Sequence, residues 1–329
     1  MANEYPLSFT GEEATRFEAA KKVYASNVIR HYLSAIRAYA MVPIEDMMGG
    51  VVKEVIRYYK AVTHKKVDHA NTPRQNLAKK RVLFNLEDEE RMSATNISKK
   101  DAMIVHYDAA GEMARITGAA MAQLYDVQTL KQLLLAARTA ADGVFPGGQQ
   151  VTETLVTDIA GTYEMSVVGS KKLQDNIKQA HRLMFEDNVP IETMELYWFM
   201  KKREHDVLLQ DDTLMSTDYV GRQFADKIHG KLTMIDSAWI IPTNNYPQAD
   251  HSVADDDTPS KGGTDAYLVD GSDSVAACMT SDALRKSEAE PVSGVYYWDN
   301  DKRNWTVGSV GFKTIETFRP ENAAEIRVA

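Results

Sequence analysis

The sequence predicts an α+β fold organised around one unusually long amphipathic helix. Three features indicate it. Apolar residues recur at helical spacing from residue 98 to residue 142, a second amphipathic helix lies near the N-terminus, and from residue 207 onward short strand-like runs alternate with loops. Helices gathered in the first half and strands in the second are typical of the α+β class.

The long helix is predicted to run from Ser98 to Asp142, as one helix or two nearly collinear ones. Ser98 with Asp101 resembles a capping box, and Asp142 is followed by Gly143 and then Pro146, which together end a helix. A helix of this length is longer than the domain's own core requires. We expect it to be a spine that carries flatter layers. Its predicted buried face consists of Met113, Ile116, Ala120, Leu124, Val127, Leu130, Leu134 and Ala137.

The N-terminal helix is predicted to begin at a capping box of Thr10 and Glu13 and to end near Pro43. Residues 81–86 read as a strand, and residues 87–91 as an exposed charged turn. Short strands are predicted within 155–168, and an amphipathic helix over 171–187 that ends at Asn188-Val189-Pro190. The predicted apolar face of this helix consists of Leu173, Ile177, Ala180 and Met184. Further strands are predicted at 195–200, 231–241, 274–279, 292–298 and 305–312, with an exposed loop over 244–273 and a terminal strand that pairs back into an earlier sheet.

Composition places the chain among ordinary globular proteins. It has 329 residues, of which 44% are hydrophobic and 26% charged, and no apolar run approaches the roughly 20 residues of a membrane span. The N-terminus lacks the basic start and apolar core of a secretory signal, so we expect no export by that route. The single Cys278 excludes an internal disulfide and predicts a small buried hydrophobic residue. A net charge of −9 argues against a protein whose main task is to grip nucleic acid.

The charge is unevenly distributed. Residues 53–81 carry a net charge of +7, so the rest of the chain carries −16. This segment is either a solvated loop with scattered lysines or a cationic arm that lies on an acidic surface of another copy of the chain. On the second interpretation, the candidate residues for contact between subunits are Lys60, Lys65, Lys66, Arg74, Lys79, Lys80 and Arg81.

The sequence contains none of the nucleotide-binding or zinc motifs with fixed spacing. An acidic loop around His251 is the best candidate for a hard cation, yet it lacks the glycine and glutamate spacing of a calcium loop, which favours a solvated loop. Two clusters, at 106–108 and 204–206, are better explained by local packing than by a proton relay. We therefore expect no catalytic, cofactor-binding or metal-binding residue. The acidic residues beside His251 are Asp250, Asp255, Asp256, Asp257 and Asp265.

Four blocks, in order along the chain, resemble the major capsid proteins of short-tailed double-stranded DNA bacteriophages. They cover about half of the chain, mostly after residue 80. The first block is Asp101–Met103 with His106-Tyr107-Asp108 and the helix through Gly118 to Tyr125-Asp126. The second runs from Asn188-Val189-Pro190 through Leu196–Phe199 and Leu208-Leu209 to Asp218-Tyr219. The third is Asp226–Gly230 leading to Trp239–Pro247, and the fourth is Gly311 followed by Arg319–Ala324.

The resemblance implies a Hong Kong 97-type major capsid fold with an N-terminal arm, an extended loop, a peripheral domain that carries the spine helix, and an axial domain. On this basis we expect a helical arm at 1–50, the basic extended loop with flanking strands at 51–85, the peripheral domain at 86–190, the axial domain at 191–295, and strands that return to the peripheral domain at 296–329.

The function expected from the resemblance is that of a shell protein and not of an enzyme. Copies would assemble into the hexamers and pentamers of an icosahedral head, in the host cytoplasm, around packaged double-stranded DNA that they contact non-specifically. Scaffolding, portal and decoration proteins are the other expected partners, and neither a cofactor nor a membrane is involved. Two alternatives stay open at this point: an encapsulin-like shell around cargo enzymes, and a soluble metal-dependent enzyme that uses the acidic loop near His251.

Overall fold

The structure is a computed structural model, and it describes residues 12–45, 52–59, 78–98, 109–153, 163–211, 225–226, 231–255, 257–299 and 304–328. Two long helices, a three-stranded sheet and a six-stranded sheet make up most of this part. The predicted mixture of helices and sheets is confirmed.

Helix α1 (Glu12–Ala35) and the spine helix α2 (Ala109–Ala137) pack directly on each other. They approach closely at Gly118, where an added Cβ atom would lie only 2.7 Å from the carbonyl oxygen of Val28. Beside this crossing the hydroxyls of Tyr24 and Thr117 lie 3.3 Å apart. Glycine at this position therefore lets the two backbones approach.

The predicted buried face of the spine is correct in its second half and wrong in its first half. Leu130, Leu134 and Ala137 are fully buried as expected, but Ile116 and Ala120 are exposed. The face that packs on α1 and the sheet is instead rotated toward Ala114, Thr117, Gly118, Met121, Ala122 and Tyr125. The cause is tertiary: small and polar side chains form the contact with α1, and hydrophobicity alone does not mark them.

The described spine is shorter than predicted. It covers 29 residues, or about 43 Å, and ends at Ala137 rather than at Asp142. Ser98 ends strand β3 (Arg91–Ser98), and residues 99–108 lie outside the described part of the chain. Arg138, directly after the last helical residue, donates to both carboxylate oxygens of Glu325 at 2.8 and 2.6 Å, which ties the end of the spine to the C-terminal strand.

A three-stranded antiparallel sheet packs against both long helices. Its order is β15–β16–β3, with β15 at Leu284–Asp299 and β16 at Asn304–Thr317. Both strands are longer than predicted. The turn before β3 also differs from expectation, because Glu87 is buried and accepts a hydrogen bond from the hydroxyl of Tyr267 at 3.0 Å.

The second layer is a mixed six-stranded sheet of order β4–β17–β14–β5–β9–β8. The terminal strand β17 pairs antiparallel with β14 and parallel with β4, which confirms the predicted return of the chain into an earlier sheet. The buried Cys278 lies in β14, as predicted, and burial raises the pKa of its thiol. The strands are β4 (Gln149–Glu153), β5 (Leu196–Met200), β8 (Met234–Ile235), β9 (Ala238–Pro242), β14 (Ser274–Thr280) and β17 (Ala323–Val328).

Helix α3 (Val167–Glu186) covers this sheet, followed by the short helix α4 (Lys202–Leu208). The predicted apolar face of α3, Leu173, Ile177, Ala180 and Met184, is fully buried. Asn188 adopts a left-handed conformation with φ of 63° where the chain leaves the helix, at the predicted stop. Val167 and Val168 begin this helix, so the prediction of strands up to residue 168 is wrong there; residues 154–162 lie outside the described part.

The stretch predicted as an exposed loop over residues 244–273 is in part a packed segment. Tyr246, Tyr267 and Val269 belong to the main core, although most side chains between them are exposed. Short strand pairs organise this stretch and the one before it: β6 (Ala225–Asp226) with β7 (Lys231–Leu232), β10 (Asp250–His251) with β13 (Val269–Asp270), and β11 (Ser260–Lys261) with β12 (Thr264–Asp265).

Candidate subunit interface

The basic segment is built on a two-stranded hairpin. Strand β1 (Val52–Tyr59) pairs antiparallel with β2 (Ala78–Asn85) over eight residue pairs, from Val52 opposite Asn85 to Tyr59 opposite Ala78. Because successive side chains of a strand point to opposite faces, the hairpin has an inner face on the protein and an outer face.

Arg57 anchors the inner face. Its buried guanidinium lies 3.3 Å from a carboxylate oxygen of Glu321, donates to the carbonyl oxygen of Phe318 at 3.0 Å, and lies 4.8 Å from the ring centre of Phe145. Further along the hairpin, Phe84 packs with Leu86 and the half-buried Val55, Val82, Phe312 and Phe318. These contacts fix the hairpin to the turn between β16 and β17.

Both charged groups of this anchor, Arg57 and Glu321, are buried away from water. Burial lowers the pKa of Arg57, and the charge of Glu321 opposes that change only in part. Burial likewise raises the pKa of Glu321, against the opposing effect of Arg57. Each group therefore depends on the other, and removal of one leaves the other buried without its counter-charge.

The outer face is exposed and combines apolar with charged side chains. Ile56, Tyr58 and Leu83 are large apolar or aromatic residues that lie in solvent in the isolated chain. Lys79 lies directly opposite Tyr58, and Arg81 directly opposite Ile56. Exposed apolar residues rimmed by polar ones are a mark of protein–protein interaction sites.

The structure describes three of the seven predicted contact residues. Lys79 is exposed on the outer face. Arg81 is exposed there as well, 3.0 Å from Glu54 on the neighbouring strand, whereas Lys80 forms an ion pair at 2.7 Å with Asp142 of the same chain. The other four, Lys60, Lys65, Lys66 and Arg74, lie outside the described residues.

Two structural features of the hairpin were not predicted from the sequence. The burial of Arg57 was not predicted, because a basic residue within a basic segment is expected to be exposed. The apolar outer face was also missed, although Ile56, Tyr58 and Leu83 are visible in the sequence. The alternation that places them on one face becomes apparent only once the register of the two strands is known.

In the part of the acidic loop around His251 that the structure describes, the side chains do not form a metal-binding cluster. Among the residues that the structure describes, which omit Asp256, no three His, Cys, Asp or Glu side chains are close enough to hold an ion. Asp255 accepts a hydrogen bond from the hydroxyl of Thr258 at 2.6 Å, which lowers the pKa of its carboxyl. Burial and the nearby Lys131 lower the pKa of His251. The described helices also include none that is long and apolar enough to cross a membrane.

The fold is that of phage capsid shells. The structure matches the capsid of the cyanophage P-SCSP1u with a TM-score of 0.72 at 17% identity, over 88% of this chain and 86% of that one. It matches the mature capsid of bacteriophage PhiM1 with a TM-score of 0.71 at 15% identity, over 89% and 87%. A virus-like particle from Pyrococcus furiosus shares the fold at a TM-score of 0.56 and 9% identity, over 94% and 99%. No match was found among curated proteins.

The sequence itself identifies the family. The family model Gp10A-like, described as major capsid protein, matches residues 92–288, which is more than half of the chain. The chain belongs to this family of phage major capsid proteins, and its Hong Kong 97-type fold is confirmed. It is a structural capsid protein of a virion and not an enzyme, so the alternative of a metal-dependent enzyme is not supported.

Proposed function

We propose that the chain forms the hexamers and pentamers of an icosahedral head that encloses phage genomic DNA. The family supports this proposal, since a major capsid protein forms a closed shell from many copies of one chain. Assembly takes place in the host cytoplasm, the shell contacts its DNA non-specifically, and scaffolding, portal and decoration proteins take part.

Within the shell, the basic hairpin contacts a neighbouring copy. The observation that carries this proposal is its outer face, where exposed Ile56, Tyr58 and Leu83 lie beside Lys79 and Arg81. Apolar side chains supply burial, while the cations select an acidic partner surface and fix its register. The chain outside residues 53–81 carries a net charge of −16, so another copy offers such a surface.

The division of the chain is part of the same proposal. The arm occupies residues 1–50, the extended loop 51–85, the peripheral domain 86–190, the axial domain 191–295, and the returning strands 296–329. With these bounds the arm contains α1, the extended loop contains β1 and β2, and the peripheral domain contains β3, the spine helix α2 and α3.

Charge reversal tests the hairpin contact. We expect Lys65→Glu, Lys66→Glu, Lys79→Glu and Arg81→Glu together to prevent shell formation while thermal unfolding of the single chain stays unchanged. Lys80 is left intact because it forms an ion pair within its own chain. As the matched control, Lys171→Glu, Lys172→Glu, Lys178→Glu and Arg182→Glu reverse the same number of exposed charges on α3. Normal shells from the hairpin variant would contradict the proposal, and loss of shells in both would assign the effect to total charge.

The content of the shells separates the phage head from the encapsulin-like alternative. The family assignment favours the phage head, because the matching family is described as major capsid protein. Shells isolated from their native source should contain nucleic acid, with an absorbance ratio at 260 and 280 nm typical of packaged DNA. Shells filled with a folded cargo protein and free of DNA would overturn this part of the proposal.

A further inference from the structure

Two buried histidines hold the edge of the six-stranded sheet to the helices that cover it. Strand β8 is an outermost strand of this sheet and pairs with β9 over two residue pairs. The stretch that contains it, residues 232–236, is tied down at both ends. The ring of His205 on α4 contacts its first residue, and the ring of His181 on α3 contacts its last. Because so short a pairing is weak by itself, this stretch depends on the two rings.

His181 is almost fully buried and forms two hydrogen bonds. The indole Nε1 of Trp198, in β5, donates to Nε2 of the ring at 2.9 Å, and Nδ1 of the ring lies 3.0 Å from a carboxylate oxygen of Asp236. An indole N–H can only donate, so Nε2 is the acceptor and Nδ1 carries the proton. Asp236 occupies the turn between β8 and β9. The neutral ring therefore links β5 to this turn.

His205 is also buried and uses both ring nitrogens. Its Nε2 lies 3.2 Å from the carbonyl oxygen of Leu232, which can only accept, so Nε2 carries the proton. Its Nδ1 accepts a hydrogen bond from the ammonium of Lys202 at 3.3 Å. Burial lowers the pKa of His205, and the hydrogen bond to Leu232 opposes this change only in part. The neutral ring is thus the form that fits this site.

Protonation puts a donor where each ring now accepts. In His181 the added proton would face the indole N–H of Trp198, and in His205 it would face the ammonium of Lys202. Two donors cannot share a hydrogen bond, so each ring must move away from its partner. Trp198 is fully buried in an inner strand and is held in place by the core. The conflict is therefore relieved at the outer side, where the rings hold residues 232–236.

Nearby charges act on the two rings from both directions. The carboxylates of Asp236 and Asp206, 3.0 and 3.6 Å from the Nδ1 atoms, favour the protonated rings. Their side chains are 51% and 38% exposed, so water screens both, and Asp206 is also paired with Lys202 at 2.7 Å. On α3 the charged neighbours of His181, Lys178 and Arg182, are exposed. These carboxylates do not restore the acceptors that protonation removes.

We propose that the two rings form an acid-sensitive latch, in which protonation of both releases residues 232–236 from α3 and α4. Imidazole is the side chain that changes its charge between about pH 5 and 8. Because burial lowers the pKa of His205 below its ordinary value of 6.5, its contribution to stability is present above that pH and is lost as the pH falls below it. Release would leave the backbone of β9 as a new sheet edge, open to pairing with another chain. The latch lies within one chain and does not depend on the proposed shell.

Amide hydrogen exchange of the unassembled protein tests the latch. Protection factors are compared, since they correct for the effect of pH on exchange itself. From about pH 7.5 to about pH 5, those of residues 232–241 should fall about tenfold to a hundredfold, as expected when a hydrogen bond is lost, and those of the spine should stay nearly constant. The double variant His181→Gln with His205→Gln should lack this fall, because glutamine offers a donor and an acceptor but takes up no proton.

His31→Gln on α1 is the matched control, since it removes an imidazole away from the latch. It should lose protection at residues 232–241 just as the unaltered protein does. Three results would each overturn the proposal: full protection of residues 232–241 at pH 5, an equal loss in the spine, or the same loss in a double variant whose thermal unfolding at pH 7.5 matches that of the unaltered protein.

The indole N–H of Trp198 gives a second measurement that needs no substitution at either histidine. Its nitrogen-15 NMR signal, identified by its loss in Trp198→Phe, should shift as the pH falls, and its proton should exchange faster with water. The other three of the four tryptophans serve as internal controls. Asp236→Asn removes a carboxylate that favours the charged ring, so it should move this transition to lower pH. A Trp198 signal that stays constant down to pH 5, or a transition unaffected by Asp236→Asn, would contradict the latch.

Discussion

The anchor at Arg57 gives a quantitative prediction for the hairpin. Arg57→Leu removes the cation that faces Glu321 at 3.3 Å and the hydrogen bond to the carbonyl oxygen of Phe318. Both charged side chains are almost fully buried, so the variant leaves a carboxylate uncompensated in the interior. Breaking a buried pair in this way costs about 3 to 5 kcal/mol of unfolding free energy. Burial raises the pKa of Glu321 and Arg57 opposes that change, so loss of Arg57 should raise this pKa further.

The assay is urea unfolding of the unassembled protein, followed by tryptophan fluorescence. Arg81→Leu is the matched control, because Arg81 pairs with Glu54 at 3.0 Å on the exposed face of the same hairpin. Such a surface pair contributes under about 1 kcal/mol. The double variant Arg57→Leu with Glu321→Leu removes both buried charges and should recover most of the loss.

Amide hydrogen exchange measures the effect of Arg57→Leu on the hairpin separately from the rest of the chain. In Arg57→Leu the amides of β1 and β2 should lose protection before those of the spine, because the hairpin is attached to the body through this anchor. If Arg57→Leu costs no more than Arg81→Leu, or if the double variant is less stable than Arg57→Leu alone, the anchor does not hold the hairpin as described.

Three further predictions concern the body of the chain. Leu130→Ala, at a fully buried spine position, should cost about 2 to 5 kcal/mol in thermal or urea unfolding, whereas Ile116→Ala, at a position 48% exposed, should stay within about 0.5 kcal/mol; similar losses would contradict the assigned face. Gly118→Ala should destabilise by about 1 to 3 kcal/mol because its Cβ would meet the backbone of α1, and an unchanged melting temperature would show that the helices are further apart. Burial lowers the pKa of Lys286 from 10.5 to about 8. Between these two pH values the unfolded chain therefore binds more protons than the folded chain, so the unfolding free energy should rise with pH, by about 2 kcal/mol after allowance for solvent screening. Lys286→Met should lack this rise, and parallel plots of unfolding free energy against pH for the two proteins would refute the prediction.

Periodicity predicted the elements whose environment is uniform along their length. The face of α3 was predicted residue by residue, because that helix lies on a single apolar sheet. The second half of the spine was predicted for the same reason. Its first half was not, since the contact with α1 uses Gly118, Ala122 and Thr117, which carry little hydrophobic signal.

The candidate site was predictable as a charged segment but not as a surface. The excess of cations over residues 53–81 is a property of composition and needs no structure. Arg57 is a buried anchor, Lys80 forms an ion pair within the chain and Arg81 is exposed, and these three environments depend on the hairpin register. The burial of Lys286 and Lys313 could not be predicted from the sequence either, because long-range pairing of β15 with β16 brings these two side chains together beneath α1.

Assembly of the purified protein is the most direct test of the central claim. Electron microscopy combined with light scattering, on the protein alone and after coexpression with candidate scaffolding proteins, should show closed shells or capsomer rings of uniform size. A stable monomer or dimer under every one of these conditions would contradict the account.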